Sequence, residues 1–103
     1  MIIPPVRSTV KAEDAAQNQE YIRRVMEELR ARPQPDLMES VFVEGDGKTF
    51  IHLRLCANEE ARKIFDTLES FQEFQRALAA SHPEVPPTTA TRLSLVGSTS
   101  DLF

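Results

Sequence analysis

An α+β sandwich is the fold class this sequence predicts, with elements in the order strand, helix, strand, strand, helix, strand. Three observations carry that expectation. Lys11–Arg32 and Ser70–Ser81 share a helical pattern of apolar residues. Each of those runs lies between stretches in which apolar residues alternate. The dipeptide Asp46-Gly47, a strong hairpin signal, separates the middle two stretches. A chain of 103 residues has the length of one domain.

Pro4 and Pro5 lack amide donors, so regular pairing is expected from Pro5–Val10, with Val6, Ser8 and Val10 on one face and Arg7 and Thr9 on the other. From Glu13 the period changes. Ala15, Gln19, Ile22, Val25, Met26 and Leu29 share a stripe, and Glu20, Arg23, Arg24, Glu27, Glu28 and Arg30 cover the opposite side. Glu13 and Asp14 at the start and Arg30 and Arg32 at the end suit the helix dipole. Pro33 and Pro35 stop a helix of about 20 residues.

Leu37–Glu44 and Lys48–Leu55 read as a hairpin closed by a two-residue type I′ turn at Asp46-Gly47. That register sets Val43 opposite Phe50, Val41 opposite His52 and Glu39 opposite Arg54; a three-residue loop with a bulge at Gly47 is the alternative and would shift it. Met38, Phe42, Ile51, Leu53 and Leu55 then fall on the other face. Asn58 opens a short helix bearing Ala61, Ile64, Phe65 and Leu68. Ser70-Phe71-Gln72-Glu73 is a capping-box sequence at the start of the second long helix, whose stripe is Phe71, Phe74, Ala77 and Leu78. Pro83, Pro86 and Pro87 predict an extended linker, and the alternation over Thr91–Ser98 predicts the last strand.

A right-handed first crossover leaves a gap that the hairpin fills, and the second crossover brings the last strand to the free edge of the first. This is the ferredoxin-like split arrangement, order 4-1-3-2, with both helices on one sheet face. Val6, Val10, Ile51, Leu53, Leu93 and Leu95 are the expected core side of the sheet. Arg7, Thr9, Val41, Val43, Phe50, His52, Arg54, Arg92, Ser94 and Val96 are expected on the bare side. A bare face with that many apolar residues calls for a cover, and a second copy related by a two-fold axis supplies one. A homodimer is expected.

Composition narrows the function classes. A net charge of −4 disfavours nucleic acid as a partner, because phosphate binding needs a basic surface. No apolar run approaches a membrane span. The N-terminus lacks the basic and apolar regions of a secretory signal, and one cysteine, Cys56, allows no internal disulfide. Cytoplasm is the expected compartment. No zinc spacing, glycine-rich phosphate loop or nucleophile elbow is present, and no metal or cofactor is expected.

Thr49-Phe50-Ile51-His52 after the Asp-Gly turn, Ser70-Phe71-Gln72-Glu73-Phe74-Gln75 opening the last helix, and Leu95-Val96-Gly97-Ser98 near the end resemble the antibiotic biosynthesis monooxygenase group, as does the long helix containing Asn18. The resemblance implies a ferredoxin-like protomer, a face-to-face dimeric α+β barrel and a pocket on the sheet's inner face. It also implies a cofactor-independent oxygenase of a small aromatic metabolite, a haem-degrading enzyme, or one of the group's members without assigned activity. The group's catalytic tryptophan has no counterpart, since the chain contains no tryptophan, and Tyr21 is its only tyrosine. The alternative is a non-catalytic dimer that binds a small ligand.

His52 is the candidate catalytic residue, as a base at neutral pH, against a structural histidine bonded to a neighbouring strand. Arg7 and Arg92 are candidate ligands for a carboxylate or phenolate, against an intersubunit ion pair to Glu39 or Glu44. Phe50 offers a ring to an aromatic ligand, and Thr9 and Ser94 offer hydroxyls. Arg54 is expected to pair with Glu39 across the hairpin.

Overall fold

The computed structural model describes residues 2–89 and 93–99. Its elements are β1 (Ile2–Thr9), α1 (Ala15–Ala31), β2 (Leu37–Val43), β3 (Thr49–Cys56), α2 (Glu59–Lys63), α3 (Glu69–Ala80) and β4 (Val85–Thr89). The strands form one antiparallel sheet in the order β2-β3-β1-β4, the expected 4-1-3-2. The ferredoxin-like α+β class is therefore the observed one.

Sequence accounts for most boundaries. Lys11 is extended and a 3-10 turn, Ala12–Asp14, precedes α1, so the regular helix starts two residues later than the Glu13 onset. Asn58 caps α2 by accepting from the Ala61 amide. The hairpin pairs Val43 with Phe50, Val41 with His52 and Glu39 with Arg54, the expected register. Its turn differs from type I′. Only Gly47 has a positive φ, +74°, and the Gly47 amide donates to the Glu44 carbonyl. Asp46 instead folds its carboxylate back onto the Lys48 and Thr49 amides and the Thr49 hydroxyl, and the hydroxyl above all lowers its pKa.

Two expectations about α3 and β4 are corrected. Helix α3 begins at Glu69, so Ser70 sits in its first turn and the capping box does not form. The cap comes from the other helix. Glu28 of α1 accepts from both the Ser70 hydroxyl (2.6 Å) and the Ser70 amide (3.1 Å). The last strand is Val85–Thr89, not Thr91–Ser98, and it contains Pro86 and Pro87. Prolines are tolerated there because β4 is an edge strand paired only with β1. Residues 93–98 belong to no strand, and Leu93 and Leu95, expected in the core, are half exposed. Thr91 and Arg92 lie outside the described residues.

The Glu28 cap carries a testable consequence. The Ser70 hydroxyl, then the Ser70 amide, hold the Glu28 carboxyl below its ordinary 4.5. A carboxylate depressed in the folded state contributes stability that is complete above its unfolded pKa and is lost as pH falls through the folded value. Glu28→Gln should lower stability by about 1 kcal/mol, the usual size of a cap. In urea unfolding the gap between wild type and variant should be full at about pH 7 and closing by about pH 3.

The sheet faces are assigned by pairing. Val6 opposes His52 and Ser8 opposes Phe50, so these residues share a side, and that side lies under the helices. Phe50 joins Val10, Val25, Phe65, Leu68, Phe74 and Leu78 in the core. Strand β1 starts at Ile2 rather than Pro5, a register shift between Ile3 and Val6 taking up the two prolines, but its faces are as expected, with Val10 in and Arg7 out. For the hairpin it is inverted: Phe50, His52, Arg54, Val41 and Val43 are on the covered side. Ile51, Leu53 and Leu55 face away, opposite Phe42, Ser40 and Met38. The physical reason is that the charges on the covered side are neutralised in place. Arg54 donates to Glu39 at 2.9 Å and lays its guanidinium over the Phe65 ring, 3.4 Å from the centroid. The sheet's open face is thus more apolar than expected, with Phe42 and Met38 about half exposed.

Candidate functional site

Helices α1 and α3 run antiparallel across the covered face, tied at one end by Glu28 and Ser70. Between them and the hairpin lies a cavity of about 10 Å³, room for one water molecule. Ile22, Val25 and Met26 of α1 and Phe71 and Phe74 of α3 form its roof, and Glu39, Val41 and His52 form its floor.

The two polar side chains of the floor, His52 and Glu39, form a chain of three with Arg54 beside the cavity. His52 Nδ1 lies 3.7 Å from Glu39 Oε1, beyond hydrogen-bond length but within ion-pair reach. Glu39 Oε2 accepts from Arg54 Nε at 2.9 Å, and the Glu39 side chain is only 4% exposed. The imidazole packs against the Phe74 ring with centroids 5.5 Å apart. A base whose far nitrogen faces a carboxylate is the arrangement that stabilises an imidazolium once a proton has been taken up. Arg54 completes the charge balance, because a carboxylate this buried needs a hydrogen-bonded cation.

An open groove of about 230 Å³ adjoins the cavity along the edge strand β2. Ile22 and Val41 line both spaces and therefore divide them. Phe50 and Phe42 supply aromatic walls to the groove, and Gln19 and Arg23 supply its polar lip.

The predicted site residues do not form one constellation. His52 and Phe50 share the covered side, His52 at the cavity and Phe50 at the groove. Arg7 is on the open face, where it pairs with Glu44 of its own chain at 2.8 Å. Thr9 is buried and its hydroxyl is 2.9 Å from that of Thr49, which donates to Asp46, so Thr9 is the donor of that pair. Ser94 is exposed and belongs to no strand. Arg92 lies outside the described residues. Glu39 is the residue missed as a partner of His52. The signal was present, since Glu39 is diagonal to His52 in the hairpin register.

Cys56 is fully buried, and burial above all pushes its thiol pKa up, away from nucleophilic use. Among the described residues no group of histidine, cysteine and carboxylate side chains is placed to hold a metal ion, and no helix is long and apolar enough to cross a membrane.

These features define a class, a ferredoxin-like α+β sandwich with its polar groups collected between helices and sheet. Solved structures narrow the class. A crystal structure of an antibiotic biosynthesis monooxygenase matches with a TM-score of 0.72 at 18% identity, over 92% of this chain and 99% of that one. A candidate antibiotic biosynthesis monooxygenase from Deinococcus radiodurans matches with a TM-score of 0.69 at 14% identity, over 97% of this chain and 100% of that one. No family model matches the sequence, and no curated protein matches it. The chain has the antibiotic biosynthesis monooxygenase fold over nearly its whole length.

Proposed function

We propose that the protein is a cofactor-independent monooxygenase of a small hydroxylated aromatic compound, working at His52. The buried His52–Glu39 pair carries this reading, and the fold shared with antibiotic biosynthesis monooxygenases supports it. A one-ring or two-ring substrate occupies the groove, packs against Phe42 and Val43 beside the buried Phe50, and reaches the cavity when Ile22 and Val41 part. Neutral His52 removes a proton from an activated ring methylene, and Glu39 stabilises the imidazolium. The carbanion transfers electrons to dioxygen. One oxygen atom becomes the new carbonyl oxygen and the other leaves as water with both methylene hydrogens. The four electrons come from the substrate, so the balance needs no outside reductant.

Oxygen uptake with a panel of hydroxylated one-ring and two-ring compounds that bear an activated ring methylene tests the reading. Wild type should consume one dioxygen per carbonyl formed, without peroxide. His52→Ala should slow this by about 10²–10⁴-fold, the usual share of a positioned base. No uptake across the panel, or uptake unchanged in the variant, contradicts it.

The open face of the sheet forms a homodimer in this proposal. Phe42, Met38, Ile51, Leu53 and Leu55 make an apolar surface that a two-fold related copy covers. The cytoplasm is the proposed compartment, in keeping with a lone buried thiol. A second reading, a non-catalytic dimer that binds a small ligand, is favoured by the cavity's size, about 10 Å³. It predicts binding of the same compounds in the groove with no oxygen consumed.

A further inference from the structure

The two long helices leave a second opening at the other end of their seam, where the start of α1 meets the end of α3. It holds about 160 Å³ and shares no lining residue with the His52 cavity. Tyr21, Ala77 and Leu78 give it apolar walls, and Asp14 and Asn18 give it polar groups. Asn18 is the unusual member. The residue is 7% exposed, and its Nδ2 is enclosed with no hydrogen-bond partner among the described residues. Buried side-chain donors are almost always paired, and an orphaned one calls for a reason.

The amide of asparagine turns about a broad, roughly two-fold terminal torsion. Among the described residues no hydrogen bond to the nitrogen opposes a half turn that exchanges its two ends. Enclosing a carbonyl is better tolerated than enclosing an N–H, because orphaned donors are the rarer of the two in folded proteins. An acceptor atom in the opening therefore draws the NH2 group outward and relieves the orphan. Asp14 sets the sign of what can sit there. A carboxylate at the rim repels anions, so the acceptor belongs to an uncharged molecule. The volume lies well below that of drug-sized pockets, which limits the occupant to about one ring.

We infer that this opening is a binding site for a small uncharged aromatic carbonyl compound, an amide or ketone, whose oxygen accepts from Asn18. The inference is independent of any chemistry at His52.

Benzamide is the probe, with benzoate and toluene as matched comparisons, read by proton–nitrogen NMR of the whole protein. Loss of one side-chain NH2 pair in Asn18→Leu assigns the reporter. Benzamide should shift that pair and the Ala77 and Leu78 backbone amides saturably, and at least about 10-fold more tightly than benzoate or toluene, the factor a single polar contact commonly supplies. Binding should be lost in Asn18→Leu and in Ala77→Met, which fills the opening from the opposite wall and leaves the amide in place. His52→Ala should bind benzamide like wild type. No saturable shift, or an Asn18 amide that exchanges magnetisation only with a long-lived water, overturns the inference. Equal affinity for toluene or for benzoate, or binding retained in Ala77→Met, also overturns it.

Discussion

Arg54→Ala is expected to destabilise the protein by about 3–5 kcal/mol, the penalty for stranding one member of a buried ion pair. Glu39 would keep its carboxylate beneath the helices, 4% exposed, with only the more distant His52 beside it. The substitution also strips the guanidinium from the faces of Phe65 and Phe71, 3.4 Å and 5.3 Å from their centroids. Packing and charge are lost together. Urea unfolding separates the two. The double variant Glu39→Leu with Arg54→Met removes both charges and keeps apolar bulk, so it should recover most of the loss. A single Arg54→Ala loss below about 1 kcal/mol would mean that the pair behaves like an exposed one.

Phe42→Glu is expected to convert the proposed dimer to monomer. Phe42 is 54% exposed in the protomer and sits opposite Ile51 on the open face. A two-fold interface uses each residue twice. Fully burying a phenylalanine contributes about 1.5–3 kcal/mol and about half of Phe42 remains to be covered, so the pair contributes about 1.5–3 kcal/mol and the dissociation constant should rise by about 10–10²-fold. Sedimentation at micromolar concentration should give twice the chain mass for wild type and the single-chain mass for the variant. A wild-type protein that sediments as a monomer refutes the interface.

Sequence patterns reached the topology because the strong signals in this chain are local ones. The α1 stripe and the Asp46-Gly47 turn each specify geometry within a few residues, and both lead to the observed strand order. Which side of the hairpin faces the helices is a non-local question. Thr49–Cys56 offers Ile51, Leu53 and Leu55 on one side and Phe50, His52 and Arg54 on the other. By hydrophobicity the first set belongs inside. The second set wins because Arg54 finds Glu39 and two aromatic rings from other elements, which no window of sequence displays. Val85–Thr89 escaped notice for a different reason. Its two prolines read as a linker, and only a strand with one neighbour can hold them.

The candidate site was readable one residue at a time and not as a set. His52 and Phe50 stand on the same side of the sheet, as their two-residue spacing requires. Alternation with Ile51, Leu53 and Leu55 taken as the core side groups Arg7 with His52 and Phe50, but Arg7 pairs with Ile51 and lies on the opposite side. Cross-strand pairing makes Glu39 legible as the partner of Arg54. Its carboxylate has a second oxygen, and that oxygen is the one near His52.

The clamp between Glu28 and Ser70 bears on how anything enters this molecule. It fastens the far ends of both long helices, and the Arg54 stack fastens Phe65 and Phe71 beneath them. A doorway that swung α3 aside would have to break both fastenings at once. Among the described residues the middle of α1, where Ile22 and Val41 line the groove beside the edge strand β2, has no such tether. In the proposed reaction, a substrate would therefore approach His52 along the outer margin of the sheet.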